Sequence, residues 1–152
     1  MRQDVPRAFR LDDPSVICMM EKSIINYWDN TAYTNYGTDQ SYTFADVAKM
    51  IARLHSLFRQ LGIEPGNKIS LCERNCAQWA ISFHAVFTYG AVAVPILPDF
   101  SIEQIQNIYN HSESKLIICG QKYADALQAR ILDINNFTVK DEPLAIDMKA
   151  FE

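Results

Sequence analysis

The clearest pattern along the chain is a stripe of apolar positions that recurs every three or four residues in the segment 44–61. This spacing places the apolar side chains on one face of a helix, so it predicts a helix from about Phe44 to Leu61. Thr43 and Asp46 form an approximate capping box at its start, and Gly62 can end it in the left-handed conformation. The positions of the stripe are Val47, Met50, Ile51, Leu54, Leu57, Phe58 and Leu61.

Short apolar runs alternate with further helical patterns after this helix. The runs predict strands at Lys68–Cys72, Ala91–Ile96 and Lys115–Cys119. The helices predicted after them are Cys76–Tyr89, capped by Asn75, Ser101–Asn110, opened by a Ser101–Gln104 capping box, and Gln121–Arg130. This alternation indicates an α/β fold, with right-handed crossovers and a mainly parallel sheet that carries helices on both faces.

The two ends of the chain have weaker patterns. Residues 15–28 suggest a short amphipathic helix, and two Tyr/Thr runs around Gly37 predict a hairpin. Beyond Leu132 the pattern is ambiguous, with a strand at Asn136–Val139 as one interpretation. We therefore divide the chain into an irregular, helical and hairpin part (1–43), an alternating helix–strand core (44–132) and an unassigned tail (133–152).

Composition favours one folded domain and excludes some classes of function. The chain has 152 residues, 49% of them hydrophobic, and a net charge of −4. Without a cluster of Lys and Arg we expect no nucleic-acid binding, and four cysteines are too few for a disulfide scaffold. The uncharged run Ala80–Leu97 approaches the length of a membrane helix, but Gly90 and Pro95 interrupt it. We interpret it as a buried helix and strand, and expect neither a transmembrane segment nor a secretory signal.

Motifs for phosphate, metal and nucleophilic chemistry are absent from the sequence. The nearest approach to a phosphate loop, from Gly62 to Lys68, precedes a strand instead of following one, which favours a structural turn. Cys72 and Cys76 have no second ligand pair, so we interpret them as reduced thiols in the interior. A nucleophile elbow of the form G-x-S-x-G is also missing.

Histidines and acidic residues suggest no active site either. His55 lies off the apolar stripe and is expected in solvent, His84 in a buried helix with its hydrogen bonds satisfied, and His111 at a helix end. The pairs Asp12–Asp13 and Asp141–Glu142 are expected to be solvated. Only scattered acids follow the strands, which argues against a phospho-acceptor domain of similar size. We assign no catalytic, cofactor-binding or metal-binding residue to this chain.

Four stretches, in order, resemble the N-terminal part of adenylate-forming acyl-CoA synthetases. They are Tyr42–Val47 (Y-T-Y/F-x-E/D-L/V), Gly62–Leu71 (G-L/I/V-x-x-G-D-x-V-A-I/L), Asn75–Pro95 (N-x-x-E/Q-W, then G-A and V-P) and Ser101–Lys115 (E-Q-I-x-x-I-x-x-H/D-S-E/G-A/S-K). The segments Val94–Ile96 and His111–Lys115 are most like the long-chain fatty-acid branch. Asn67 replaces the usual Asp, and Ala77 replaces a common Pro.

The resemblance implies the N-terminal part of the acetyl-CoA synthetase-like fold, with scaffold roles for the matched residues. Gly62 and Gly66 would supply turns, Trp79 and Phe83 would fill the space between helix and sheet, and Pro95 would end a buried strand. An Arg through which some short-chain relatives contact coenzyme A has no counterpart here, because that region carries Asn107 and Ile108.

The resemblance also implies a function for a longer protein. A long-chain fatty-acid–CoA ligase joins a fatty acid to ATP, with Mg²⁺, to form an acyl-adenylate, and coenzyme A then displaces AMP. The phosphate loop and the C-terminal lysine that stabilise the transferring groups are not among these 152 residues. We therefore expect this portion alone to be inactive and to bind none of these cofactors. The implied setting is cytoplasmic fatty-acid and lipid metabolism, with peripheral membrane attachment as a further possibility.

Other hypotheses for the function of this chain stay open. One is another adenylate-forming branch that activates aryl or amino acids, and another is a free-standing α/β binding module. In the fragment reading, an apolar face normally covered by the rest of the enzyme would be exposed, which favours a homodimer or aggregation.

Overall fold

The computed structural model describes residues 15–142. Within them the chain forms two compact units, which meet in the sequence between Lys49 and Met50. Each unit is described by itself below.

The first unit contains a helix and a hairpin, and both were predicted. Helix α1 (Val16–Asn26) begins at Ser15, whose hydroxyl accepts a 3.2 Å hydrogen bond from the backbone N–H of Cys18. Strands β1 (Thr31–Thr34) and β2 (Ser41–Thr43) pair antiparallel, and Gly37 turns between them with φ +77°. No residue of α1 is buried, so the apolar side chains of this helix contribute little to a core.

Helix α2 (Phe44–Gln60) confirms the strongest sequence pattern. Asp46 accepts a 2.8 Å hydrogen bond from the backbone N–H of Thr43, and Thr43 accepts one of 3.1 Å from that of Asp46. Gly62 has φ +70°, the left-handed conformation expected at the end of the helix. The stripe is buried at Val47, Ile51, Leu54, Leu57, Phe58 and Leu61, and Met50 is half-buried.

A parallel sheet of four strands forms the centre of the second unit. Its strands are β3 (Lys68–Cys72), β4 (Val92–Pro95), β5 (Leu116–Cys119) and β6 (Ile131–Asp133). They lie in the order β4-β3-β5-β6, and every neighbouring pair is parallel. The two central strands, β3 and β5, are buried almost throughout, as continuous apolar runs in parallel sheets should be. The predicted α/β fold class is confirmed.

Three helices connect the strands: α3 (Ala77–Tyr89), α4 (Ile102–Ser112) and α5 (Gln121–Ala124). The Ser101–Gln104 capping box is present. The predicted cap at Asn75 is wrong, because Cys76 has the extended backbone of a cap and its Sγ accepts a 3.4 Å hydrogen bond from the N–H of Trp79. Helix α5 is also shorter than predicted, because the C=O of Arg130 already accepts a hydrogen bond from Ile117 as the chain enters the sheet.

Strand β6 was missed, and the strand predicted at Asn136–Val139 is wrong. Residues 134–138 form a turn in which Phe137 has φ +55°, and only Val139 makes an isolated antiparallel bridge, with Leu132. β-Branched and apolar residues at Ile131–Leu132 pair with the buried strand β5, and this non-local pairing decides the outcome. The rest of the predicted tail, from residue 143, lies outside the described residues, as do residues 1–14 with Asp12–Asp13.

The uncharged run is less buried than predicted. Strand β4 lies at the edge of the sheet, and Val92 is 46% exposed. Trp79 and Phe83 are half-buried and stack on each other, with ring centres 5.5 Å apart, and Phe87 is exposed. Over residues 15–142, no helix has the length and apolar character needed to span a membrane.

Candidate functional site

The strand order indicates where along the carboxyl ends of the strands, here called the carboxyl edge of the sheet, a ligand would bind. From β3 the chain passes through α3 to β4 on one side, and from β5 it passes through α5 to β6 on the other. In open parallel sheets, ligands bind at the carboxyl ends of the two strands where this direction reverses. The two ends here are Cys72 and Cys119, which are register partners. We call the segments that follow them, residues 73–76 and 120–122, the switch-point loops.

The two switch-point loops pack against each other through Glu73. Its carboxylate occupies the space where a Cβ atom on residue 120 would stand, and residue 120 is glycine. Gly120 has φ −78°, a conformation open to any residue, so the close approach of Glu73 is the reason a small residue fits there. The other carboxylate oxygen of Glu73 accepts a 2.9 Å hydrogen bond from the backbone N–H of Arg74.

The loop after β4 is hydrogen-bonded to α5, which begins directly after Gly120. The Tyr123 hydroxyl donates a 2.8 Å hydrogen bond to the carbonyl of Pro98, and the ammonium of Lys122 lies 4.3 Å from the centre of the Tyr123 ring. Arg74 and Asp99 form an ion pair of 3.2 Å in which both side chains are more than 70% exposed. An exposed pair of this kind contributes little to stability. These loops therefore present side chains of both charges.

The thiols at this edge are unsuited to nucleophilic chemistry. Cys72 and Cys119 are fully buried in the cluster formed with Ile96, Ile105 and Tyr123. Burial raises the pKa of Cys72 to about 11 and that of Cys119 to about 12. Because the thiolate is the reactive form, both groups are inert at neutral pH. This agrees with their interpretation as reduced interior thiols.

A cavity lies beside β6. It is an open cavity of about 200 Å³ lined by Gln121, Ala124, Ile131, Asp133, Asn136, Thr138 and Lys140. Its polar groups already have partners: Lys140 donates to the carbonyl of Ala124 over 3.0 Å, and Asp133 accepts a 2.8 Å bond from the N–H of Asn135. Asn136 likewise accepts from Thr138. These contacts hold the turn at 134–138 in place.

The histidines lie apart from both features. The prediction that His55 is in solvent is wrong, because its Nε2 lies 3.0 Å from the carbonyl of Ala85 and its ring packs on Tyr89. Burial lowers the pKa of His55 and of His84. His111 lies in the last turn of α4, as expected.

The acidic pair at the end of the described chain is only partly solvated. Glu142 accepts two hydrogen bonds of 2.6 Å from the guanidinium of Arg130, which lowers the pKa of Glu142. Arg130 also donates a 2.7 Å bond to the carbonyl of Leu61. The expectation of a solvated Asp141–Glu142 pair is therefore wrong for Glu142. No local pattern indicates this ion pair, because the turn after β6 brings Arg130 and Glu142 together.

The described residues do not fit a metal ion or the phosphates of ATP. Within residues 15–142, no group of three or more His, Cys, Asp or Glu side chains is close enough to hold a metal. The glycine positions at Gly62 and Gly66 serve turns with φ +70° and +84°, which confirms the structural reading of that segment. We therefore derive no chemical step through Mg²⁺ or ATP from this chain.

The motif at residues 111–115 has a structural role. Ser114 is buried and accepts a 2.8 Å hydrogen bond from the hydroxyl of Ser70 on β3, and a second bond of 2.8 Å joins it to Ser112. Glu113, between them, ends α4 in the left-handed conformation. Lys115 then donates its backbone N–H to the carbonyl of Lys68. The segment therefore fixes the entry of the chain into β5.

Comparison with known families decides the assignment. A family model described as "AMP-binding enzyme" matches residues 20–151. The chain belongs to this family. The resemblance to adenylate-forming enzymes is thereby confirmed.

Relatives of this chain are named for different acids. 4-Coumarate–CoA ligase 2 of Oryza sativa subsp. japonica is 28% identical over 111 residues, which are 72% of this chain and 20% of that protein. A long-chain-fatty-acid–CoA ligase of Mycobacterium tuberculosis is 30% identical over 98 residues, 64% of this chain and 20% of that protein. The chain thus spans about a fifth of the length of these two ligases.

Solved structures share the fold. A four-domain nonribosomal peptide synthetase bound to AMP and glycine superposes with a TM-score of 0.72 at 28% identity, over 82% of this chain and 9% of that one. Its printed ligands belong to that protein. The shared fold confirms that residues 15–142 form part of the N-terminal region of an adenylate-forming enzyme.

Proposed function

We propose that this chain is the N-terminal portion of a long-chain fatty-acid–CoA ligase. The whole protein would activate a fatty acid with ATP and Mg²⁺ to an acyl-adenylate and would then transfer the acyl group to coenzyme A. The observation that carries this proposal is the match of the AMP-binding family model over residues 20–151. The fatty-acid branch is supported by the 30% identity to the mycobacterial long-chain ligase and by the segments Val94–Ile96 and His111–Lys115.

In this proposal the chain contributes a scaffold. Its buried strands β3 and β5 would hold the switch-point loops at the edge of the sheet, and the remainder of the enzyme would supply the phosphate loop, the metal ligands and the catalytic lysine. The 152 residues alone would then have no ligase activity. We propose no catalytic residue among them, and we place the enzyme in the cytoplasm.

The proposal is tested with the complete open reading frame that encodes this chain. We expect the frame to continue past Glu152 and to encode a stretch of the form T-S-G-T-T-G-x-P-K-G within some tens of residues. The purified product should convert palmitate, ATP and coenzyme A to palmitoyl-CoA, measured by chromatography. A frame that stops near Glu152 would contradict the proposal and would favour a free-standing binding module.

A second candidate is an aryl- or amino-acid-activating ligase, which the identities to the coumarate ligase and the peptide synthetase support. The same product should be offered palmitate, 4-coumarate and glycine in parallel. A preference for palmitate supports the fatty-acid branch. A preference for either of the others would move the protein to another branch of the same family.

A further inference from the structure

The segment between Arg74 and Asp99 contains no Asp, Glu, Lys or Arg. It builds α3 and the edge strand β4. Exposed edge strands of natural proteins usually carry charges that prevent other chains from pairing with them. This edge lacks that protection.

Apolar side chains are exposed along the same edge. Val92, the first residue of β4, is 46% exposed, and Leu97, two residues beyond its end, is 62% exposed. Strand β4 itself, Val92–Pro95, is only half-buried at its two central residues. An uncharged, partly exposed edge strand flanked by exposed apolar residues is a surface that favours covering by other polypeptide.

The backbone of β4 determines what can pair with it. The N–H groups of Val92 and Ile96 donate 2.8 Å hydrogen bonds to the β3 side, to the carbonyls of Asn67 and Leu71. Because successive residues of a strand point to opposite sides in the ladder, the N–H and C=O of Ala93 face the open side. Pro95 also faces that side, and it has a carbonyl but no N–H. The open edge therefore offers more acceptors than donors.

We propose that the open edge of β4 binds an extended segment of the same AMP-binding enzyme, supplied by polypeptide outside these 152 residues. The proposal rests on the proposed function, because the matched ligases are more than three times as long as this chain. The segment would donate N–H groups to the carbonyls of Ala93 and Pro95 and accept the N–H of Ala93. It would also cover Val92 and Leu97.

A second copy of this chain fits the edge less well. Two β4 edges that pair around a two-fold axis at Ala93 can exchange the two hydrogen bonds of that residue. The next pair would require the N–H of residue 95, which proline lacks. The donor shortage thus favours a strand of different sequence over self-association.

The test is hydrogen–deuterium exchange with residue-level mass spectrometry on the 152-residue chain and on the product of the complete open reading frame. We expect the amide of Ala93 to exchange rapidly in the short chain and at least about tenfold more slowly in the complete product. An equal rate in the two proteins would overturn the proposal. Protection in the short chain that grows with its concentration would identify a second copy as the occupant and would also overturn it.

Two variants provide an independent check. Ala93→Pro removes the outward N–H and leaves the bonds to β3, whereas Ala93→Val keeps that N–H and serves as the matched control. Ala93→Pro should lower the unfolding midpoint of the complete product relative to Ala93→Val and should have little effect on the short chain. An equal loss in both proteins would show that the complete product supplies no additional partner for this N–H, against the proposal.

The failure of this inference can be told apart from the failure of the proposed function. A complete product that makes palmitoyl-CoA but leaves Ala93 unprotected contradicts only the pairing at β4. A frame that stops near Glu152 contradicts both.

Discussion

The hydroxyl of Ser70, in the middle of strand β3, donates a 2.8 Å hydrogen bond to the hydroxyl of Ser114, at the entry to β5. Both residues are buried, and they are 44 positions apart in the sequence. The bond joins β3 to the segment 111–115, which leads into β5. It explains why small hydroxyl side chains suit these two positions.

Removal of this bond should destabilise the chain by a modest amount. Ser70→Ala leaves Ser114 with Ser112 as its partner, so we expect a loss of about 1 kcal/mol in the free energy of unfolding. The double variant Ser70→Ala, Ser114→Ala should lose less than the sum of the single losses, as measured by urea denaturation. Additive losses would show that the two hydroxyls do not interact.

Replacement of Glu113, which ends α4, with glycine should stabilise the folded chain. Glu113 has φ +58°, a conformation that costs a residue with a side chain roughly 1 kcal/mol. Glu113→Gly should therefore raise the free energy of unfolding, and Glu113→Val should lower it because a β-branched residue fits this conformation poorly. Chemical denaturation of the three proteins measures the order. A glycine variant that is less stable than the parent chain would contradict the prediction.

Stability should fall when the pH drops below about 6.5. Burial lowers the pKa of His55 and of His84 below the ordinary value of 6.5, so the folded chain favours their neutral forms. Their contribution is complete above that pH and decreases below it, because the unfolded chain takes up the protons first. The urea midpoint should therefore be lower at pH 5.5 than at pH 7.5.

Variants at the two histidines separate this effect from that of the carboxylates. The loss between pH 7.5 and 5.5 should be smaller in His55→Gln and smaller again when His84→Gln is added. The carboxyl groups with lowered pKa, Asp46 and Glu142, titrate below this window, since their ordinary values are 3.8 and 4.5. The same loss in all three proteins would contradict the role given to the histidines.

The four cysteines should react in two classes. Cys18 and Cys76 are partly exposed, whereas Cys72 and Cys119 are buried with the raised pKa values given above. A thiol reagent at pH 7.5 should modify Cys18 and Cys76 in the folded chain, and Cys72 and Cys119 only after unfolding in urea. Mass spectrometry of the modified peptides assigns each site. Modification of all four residues at one rate would contradict the described burial.

Local patterns were sufficient for the elements that have strong local signals. The stripe of α2, its capping box at Thr43 and the turn at Gly62 could all be read from neighbouring residues, and all are confirmed. The errors arose where long-range pairing decides the structure. Residues 131–133 became a strand because β5 offers a partner, and His55 is half-buried because its ring contacts residues of α3.

The candidate site could be predicted only in part for the same reason. The sequence placed Glu73 and Gly120 directly after strands, but it did not indicate that those strands are neighbours. Adjacency of β3 and β5 follows from the order of the whole sheet, which no local pattern encodes. The contact between Glu73 and Gly120 therefore required the structure.

We have proposed that the chain is a scaffold whose catalytic residues lie elsewhere in a fatty-acid–CoA ligase. The most direct measurement is palmitate-dependent exchange of radiolabelled pyrophosphate into ATP, in the presence of Mg²⁺, for the 152-residue chain and for the product of the complete open reading frame. We expect exchange by the complete product and none above background by the short chain. Exchange by the short chain, or no palmitate-dependent exchange by a folded complete product, would contradict this proposal.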